Sequence, residues 1–512
     1  MKKIIVGLLL ISLCSLSIIG TPQAYGEGTD TYKLVKVYLN NIGQYAEIAT
    51  TGFDVIKATT EYLEVFASQE QISWLTQNNF KTEEMDLAEV VDQTAAGKAD
   101  VGLYHTYAEA QSELYQIEQA HGSIAKVYVI GKSLENRDIM AIKISDNPQL
   151  MEPSEPAVLY MGCHHAREWI SVEMPMNLAH YLVDNYGTDA NVTKLVNERE
   201  TWIVPIVNPD GLVYSQTSYT MWRKNKRDNN GNGIFDRYYD GVDVNRNYGY
   251  KWGYDDVGSS WYPGDETYRG ASAFSEPETQ AIRALALQYN FVLSVSFHSY
   301  GETMIFPWGY ANLDTPDDAL FNAIGAKMAV YNGYVYGNAK DGVIYNTNGD
   351  SDDWLYGERG TLAYTFEVAT QFIPPENQIE PIWQENKNAS LYLLEIADNP
   401  RQIFPSFRIY TDKTNYNVGE PMQVHVRVKN LAAAAPARAT IKLVLPDGSQ
   451  YGPLLDMTVT IPAGYDSGEY LWNQFTIPSV PSGNYQWVAE LRNPSTGTLI
   501  SQSIWRWQLL PS

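Results

Sequence analysis

Cysteine is nearly missing from the 512 residues; Cys14 and Cys163 are the only two. A disulfide framework is therefore excluded. Basic residues are also few. Lys and Arg number 36 against 60 Asp and Glu, a formal net charge of −24. That balance argues against a nucleic-acid partner, because neutralising phosphates needs clustered cations. Beyond the extreme N-terminus, no apolar run approaches the ~20 residues of a membrane-spanning helix. The metalloprotease signature H-E-x-x-H is missing too. What is present is 44% hydrophobic and 19% charged, enough apolar material for packed cores. The length calls for about two to four domains.

Residues 1–26 read as a secretory signal. Lys2 and Lys3 precede an apolar stretch from Ile4 to Ile19, and small or turn residues around Pro22-Gln23-Ala24 offer a cleavage zone. The expected product is secreted, with no integral membrane segment in the mature chain. Cleavage removes Cys14 and leaves Cys163 without an intrachain partner. Cys163 reads as a small buried residue rather than a catalytic thiol.

Residues 27–98 read as a small α+β unit. Tyr32–Leu39 and Glu61–Phe66 have strand-like composition, and Ser68 with Gln71 forms a capping box. The polar run Asp92–Asp100 reads as a linker open to proteases. Residues 99–402 alternate strand and helix patterns. The strand candidates Ala157–Met161, Thr201–Val207, Phe291–Phe297 and Leu362–Phe366 are apolar on both faces, as in a central sheet covered by helices. Helices are expected at 171–186, 276–290, 316–332 and 383–397, the second with Ser275 as N-cap, Pro277 in its first turn and Glu278 as box partner. Residues 403–512 lose helical periodicity. Short β-rich runs between turn residues predict a β-sandwich. The expected fold class is thus α/β, a mixed central sheet flanked by helices, with an α+β unit before it and a β-sandwich after it.

The chemistry lies in Gly162-Cys-His-His-Ala-Arg-Glu-Trp169, directly after a strand candidate. His165 and Glu168 have H-x-x-E spacing, and His298 follows another apolar run. Two imidazoles and one carboxylate leave a tetrahedral position open, which is the donor set of a catalytic rather than a structural zinc. Alone, H-x-x-E spacing is weak evidence; its ordered companions strengthen it. These are Asn208-Pro-Asp-Gly211, Trp222-Arg-Lys224, Gly241-Val-Asp-Val-Asn-Arg-Asn247, Ser296-Phe-His-Ser-Tyr300, Ile344-Tyr345 and Thr365-Phe-Glu367.

In this ordered set, over residues 102–400, the sequence resembles the zinc metallocarboxypeptidases of carboxypeptidase A/B type, and among them the bacterial carboxypeptidase T-like branch. The resemblance implies a metallocarboxypeptidase fold and a zinc exopeptidase acting on peptide or protein C-termini. It implies that His165, Glu168 and His298 hold one Zn2+. Glu367 would activate the attacking water and pass its proton to the leaving amine. Arg223 would stabilise the oxyanion. Asn245, Arg246 and Tyr345 would hold the substrate's terminal carboxylate, and Arg167 would line the approach. His164, beside a ligand, reads as structural because strand alternation turns it away.

The resemblance also places a side-chain pocket in Asn348-Gly-Asp-Ser-Asp-Asp-Trp354. Asp352 stands where basic-specific members carry aspartate, and Asp350 where the T-like branch carries an acid. Both would favour C-terminal Arg or Lys. Both equally suit a helix N-terminus. Asp228-Asn-Asn-Gly-Asn-Gly-Ile-Phe-Asp236 matches the first nine positions of a Ca2+ loop, but position twelve is Tyr239, and an Asn/Gly turn competes. The N-terminal unit resembles a propeptide by position, making the chain a zymogen cleaved between about 92 and 103. The tryptophans of the C-terminal unit, Trp472, Trp487, Trp505 and Trp507, read as core, and its partner is unassigned. Two rival functions remain at this point: a zinc amidohydrolase of cell-wall peptides and a non-catalytic peptide-binding protein.

Overall fold

The computed structural model describes residues 33–39, 44, 48, 53–58, 62–85, 101–398, 400, 405–413, 415–430 and 433–511. The signal segment and the linker expected at 92–100 lie outside the described residues. Among the described residues, no helix is long and apolar enough to cross a membrane.

The N-terminal unit is an antiparallel sheet of β1 (Lys33–Tyr38), β2 (Asp54–Ala58), β3 (Tyr62–Ala67) and β4 (Lys81–Glu84), in the order β2-β3-β1-β4. The helix Gln69–Gln77 starts with the expected capping box: Ser68 Oγ accepts from Gln71 N–H at 3.2 Å, and Gln71 Oε1 accepts from Ser68 N–H at 2.9 Å. Strand β3 is buried along its whole length because both its faces are covered. Leu63 and Val65 enter the unit's own core, whereas Phe66 joins the core of the following region.

That following region is built on an eight-stranded sheet. Its strands are β5 (Ala125–Lys132), β6 (Asp138–Ile144), β7 (Ala157–Met161), β8 (Glu200–Val204), β9 (Phe291–Ser299), β10 (Thr303–Ile305), β11 (Val335–Gly337) and β12 (Leu362–Val368). The spatial order is β11-β10-β12-β9-β7-β8-β6-β5. The sheet is mixed. Strands β12, β9, β7 and β8 run parallel, and the antiparallel pairs β5–β6, β6–β8 and β10–β12 lie to either side of them. The parallel strands are Val-, Leu- and Phe-rich and buried on both faces, as covering helices require.

Helices form at Ile170–Asn185, Pro277–Gln288, Asp318–Asn332 and Ile379–Ile396, close to the expected spans. The cap at the second helix differs from expectation. Glu276, not Ser275, is the N-cap and makes no side-chain capping bond. Its carboxylate is occupied by Asn225 and Arg227, and the expected box partner Glu278 is buried against Asn225.

The C-terminal region consists of β13 (Ser406–Thr411), β14 (Asn415–Tyr416), β15 (Pro421–Asn430), β16 (Ala435–Val444), β17 (Gln450–Ile461), β18 (Tyr465–Asp466), β19 (Tyr470–Thr476), β20 (Gly483–Arg492) and β21 (Leu499–Leu509). Two sheets, β13-β15-β18 with β19 beside β15, and β14-β21-β20-β16-β17, enclose one apolar core. Trp487, Trp505 and Trp507 are buried in that core, and Trp472 packs on it. The sandwich docks on the helix Asp318–Asn332 and on the edge strand β11 of the eight-stranded sheet. Lys429 Nζ lies 2.9 Å from Asp318 Oδ2, and Arg408 Nη2 lies 2.9 Å from Asp341 Oδ2.

Candidate active site

In open parallel sheets, ligands bind beyond the carboxyl ends of the strands, where the winding direction reverses. That point here lies between β7 and β9. From β7 the chain continues into β8 on one side, and β9 is flanked by β12 on the other. His165 and Glu168 follow β7, His298 sits near the end of β9, and Glu367 sits near the end of β12 in register with His298. The turn after β7 needs glycine. A Cβ on Gly162 would come 2.2 Å from the Ser171 carbonyl oxygen.

The three donors converge. His165 Nδ1 lies 2.8 Å from Glu168 Oε1, His298 Nδ1 lies 2.9 Å from Glu168 Oε2, and the two Nδ1 atoms are 3.1 Å apart. All three residues are buried. Burial pushes the His298 imidazole below its ordinary pKa, which favours the neutral form that ligates a metal. Burial would raise the Glu168 carboxyl, but His165 and His298 overcome this and hold it well below the usual range. Glu168 also precedes the N-terminus of the helix Ile170–Asn185, where the dipole favours an anion.

Their supports are equally specific. His298 Nε2 contacts Ser296 Oγ at 3.0 Å, and His165 Nε2 lies 3.2 Å from Asp243 Oδ1. Holding the far nitrogen of His298, and placing the Asp243 carboxylate beside that of His165, presents each Nδ1 to the shared point, which is how a protein orients metal ligands. Two neutral-capable imidazoles and one ionised carboxylate, all aimed at one point, suit Zn2+. Asp243 does double duty. Arg223 donates to its Oδ2 through Nε at 2.9 Å and Nη2 at 2.7 Å. Against the upward push of burial, Arg223, His165 and Arg246 hold the Asp243 carboxyl well below its ordinary pKa.

Glu367 lines the cleft beside these donors. Burial, then the charge of Glu168, push its carboxyl well above the ordinary range, while Arg223 and Arg246 pull the other way. Arg167 also lines the cleft, and a residue of the N-terminal unit occupies its guanidinium. Nη1 donates to Asp54 Oδ2 at 2.5 Å and Nη2 to Asp54 Oδ1 at 3.1 Å. Tyr300 hydroxyl donates to Glu64 Oε2 of the same unit at 3.2 Å.

A recess opens from the cleft at His165, Tyr345 and Glu367, and it contains Asn245, Arg246, Asp350 and Asp352. Arg246 is held by its own backbone environment, donating to the Gly258 carbonyl at 3.0 Å and the Asn245 carbonyl at 2.8 Å, with the Tyr345 ring 6.0 Å away. Asn245 Oδ1 accepts from Ser351 N–H at 3.0 Å. Gly349 adopts φ +72°, and a Cβ there would meet the Arg246 carbonyl at 2.5 Å, which ties the pocket loop to the arginine.

The two aspartates differ. Asp350 is the N-cap of the helix Ser351–Arg359, accepting from Asp353 N–H at 2.8 Å and from Thr347 Oγ1 at 2.5 Å. Asp352 accepts from Thr365 Oγ1 at 2.7 Å through Oδ2, and its buried Oδ1 has no hydrogen-bond partner among the described residues. Burial, then Asp350, push the Asp352 carboxyl up to about 8.

His164 is not one of the converging donors; it is buried between Tyr248 hydroxyl at 2.8 Å and Ser296 Oγ at 3.1 Å, with its ring stacked on that of His298 at 5.5 Å. Cys163 is buried, and burial raises its thiol pKa further from reactivity. The loop at 228–236 closes on its own amides. Asp228 accepts from the N–H groups of Gly231 at 2.8 Å and Gly233 at 2.7 Å, as an Asn/Gly turn does.

Asp243, Ser296, Asp353 and Asp54 were not assigned roles from sequence. Asp243 and Ser296 lie inside the motifs that carry the resemblance, two residues from Asn245 and His298, so strand and loop periodicity was the available signal. Asp353 accepts from the N–H groups of Gly309 and Tyr310, both at 2.9 Å, and braces the pocket wall. Asp54 comes from a distant element and carries no local signal.

Residues 110–389 match the zinc carboxypeptidase family, peptidase M14. A zinc carboxypeptidase of Saccharothrix mutabilis subsp. capreolus is 31% identical over 382 residues, covering 69% of this chain and 86% of its own. Carboxypeptidase B of Astacus astacus is 32% identical over 295 residues, covering 55% of this chain and 93% of its own. The crystal structure of carboxypeptidase A from Helicoverpa armigera shares the fold at TM-score 0.62 and 22% identity, covering 72% of this chain and 98% of that one. Thrombin-activatable fibrinolysis inhibitor does so at TM-score 0.59 and 21% identity, covering 72% and 99%. The chain belongs to the zinc carboxypeptidase family and is a metallocarboxypeptidase, a zinc exopeptidase.

Proposed function

We propose that this chain is a secreted carboxypeptidase, made as a precursor, that hydrolyses the last peptide bond of peptides and proteins, with a preference for basic C-terminal residues. The observation that carries the reading is the convergence of His165, Glu168 and His298, with Glu367 in register beside His298 and the Arg246 recess adjoining.

Zinc at these donors supplies a water of lowered pKa and polarises the scissile carbonyl. The chain's own residues do the rest. Glu367, with its raised proton affinity, takes the proton of the attacking water and hands it to the leaving amine. Arg223 is fixed through two N–H groups on Asp243, so its cation is pre-aimed before negative charge develops on the carbonyl oxygen. Arg246, Asn245 and Tyr345 hold the terminal carboxylate, which an internal peptide bond does not offer. The unpartnered Oδ1 of Asp352 supports recognition of a cationic side chain, while Asp350 shapes the pocket by capping its helix.

The N-terminal unit acts as a removable cover. Asp54 and Glu64 occupy Arg167 and Tyr300 at the cleft, where substrate would otherwise bind. Finding Tyr32 in the active secreted form would overturn removal. Calcium at the 228–236 loop is a secondary reading. A thermal midpoint unchanged by calcium removal, with zinc retained, rejects it.

The decisive experiment is metal analysis with peptide-end mass spectrometry on wild type and Glu367→Gln. We expect one zinc in each protein, single-residue trimming by the wild type, and a loss of about 10²–10⁴-fold in kcat for the variant. Internal cleavage, or an unimpaired variant, would overturn the mechanism.

A further inference from the structure

The cleft does not end at the catalytic sheet. From Glu367 and Tyr345 it passes Thr303, Val335 and Val343 and continues, as one cavity of about 500 Å³, onto the C-terminal sandwich. We propose that the sandwich supplies an extended subsite, formed by Asn415, Asn484, Gln486, Arg506 and Gln508, which binds the polypeptide upstream of the scissile bond.

The register places these five together. Asn415 pairs with Gln508, Gln508 with Asn484, and Arg506 with Gln486. Alternation along β20 and β21 then sorts the two faces. Tyr485, Trp487, Trp505 and Trp507 are buried in the sandwich core, while the intervening Asn484, Gln486, Arg506 and Gln508 form the outer face; the cleft is lined by these four and bordered by Tyr485, Trp505 and Trp507. The face is fixed in place. Arg506 donates to the carbonyls of Glu302 and Gly333, both at 3.3 Å, and Ile504 of the same face lies against Gly333. The amide groups of Asn484, Gln486 and Gln508 make no hydrogen bond among the described residues, so their donors and acceptors remain available.

A row of carboxamides suits an extended peptide. Each amide both donates and accepts, matching the alternating N–H and C=O groups of a backbone without selecting its side chains. The same chemistry could meet a sugar chain, but sugar recognition uses exposed aromatic faces, and here Trp505 and Trp507, though they border the cleft, are buried in the sandwich core. The wall is continuous with the site that binds a peptide's end, and a polypeptide leaving that site has to run along some wall of the cleft.

This inference rests on the carboxypeptidase reading, and the test separates the two. With the active zinc-loaded enzyme, kcat/KM is measured for an N-acylated dipeptide ending in Arg and for peptides with the same end extended by two to eight residues. Wild type is compared with Gln486→Ala/Gln508→Ala and with Asn484→Asp/Gln486→Glu, each checked for an unchanged thermal midpoint. We expect efficiency to rise with length through KM. The alanine pair should keep dipeptide activity and lose about tenfold on the long peptides, as the loss of two net hydrogen bonds predicts. The acidic pair should favour long peptides with upstream Lys and disfavour those with upstream Asp. No activity on any peptide overturns the carboxypeptidase reading itself. Variants equal to wild type at every length, or equally impaired on the dipeptide, overturn the subsite. So does a length gain confined to peptides carrying an N-terminal disaccharide, which would assign the wall to glycan.

Discussion

The metal corner and the floor of the side-chain recess are both built from buried carboxylates, and they treat them in opposite ways. At the metal corner, Glu168 and Asp243 are surrounded by His165, His298, Arg223 and Arg246, and their carboxyls are held down. At the floor, Asp352 and Asp353 face Asp350, and burial with like charge pushes them up. The first cluster carries its own cations in Arg223 and Arg246. In the second, Arg246 acts on Asp350, but no cation is paired with Asp352 or Asp353, and a basic substrate side chain would provide one. The two are joined by one strand pair: Ser296 and Thr365 are register partners on β9 and β12, and Ser296 steadies His298 while Thr365 holds Asp352.

The comparison breaks first at Asp243. Asp243→Asn removes the anion between Arg223 and His165 and leaves a buried arginine uncompensated. Breaking such a pair costs about 3–5 kcal/mol. We expect a loss of this size in chemical denaturation, together with a fall in kcat larger than any change in KM. An unaltered midpoint would mean that the corner's cations do not need their carboxylate.

Next in size is the floor. Asp352→Asn should leave hydrolysis of Leu-ending peptides near wild type and lower kcat/KM for Arg-ending ones by about 10–100-fold, the worth of a hydrogen bond to a charged group. Equal rates on both substrates in wild type would remove the role assigned to the floor. Asp350→Ala should act differently, lowering stability through loss of the helix cap with less effect on selectivity.

These contrasts explain what the sequence could reveal. The parallel strands were legible because they are apolar on both faces, and the donors because His165 and Glu168 share one short motif. The boundaries were less legible. Ser275 looks like a cap, but Glu276 takes its place because a tertiary contact to Asn225 outweighs the local preference. The contact between Asp54 and Arg167 joins residues over a hundred positions apart, and no local pattern announces it. The sandwich was predicted from its turns, but its outer face could not be placed along the cleft until its docking edge was known.

A smaller effect tests the shared strand pair. Ser296→Ala removes the support of His298 Nε2 without touching the floor. Loss of such a support weakens metal binding by about 10–100-fold. Competition with a chelator should show this, while the ratio of Arg- to Leu-ending activity at saturating zinc stays at the wild-type value. A change in that ratio would show that the corner and floor are coupled through β9 and β12.

The smallest effect separates the two regions by the sign of their pH dependence. Glu168 and Asp243 have folded pKa values below their unfolded ones, so their stabilisation is present at neutral pH and is lost as pH falls into the acid range. Asp352 is the reverse. Its folded pKa of about 8 lies above the ordinary value of 3.8, so stability is full at low pH, declines as pH rises towards 8, and levels off above it. Between pH 7 and pH 9 this carboxyl alone should cost on the order of 1 kcal/mol, or about 2–4 °C in thermal midpoint for a large chain. Glu278, also pushed up to about 8 by burial, adds to the same slope, so the readout is the difference between wild type and Asp352→Asn. The variant should lose less stability than wild type over that interval. Parallel curves would place the Asp352 carboxylate in a compensated setting like that of the metal corner, and the contrast between the two regions would fail.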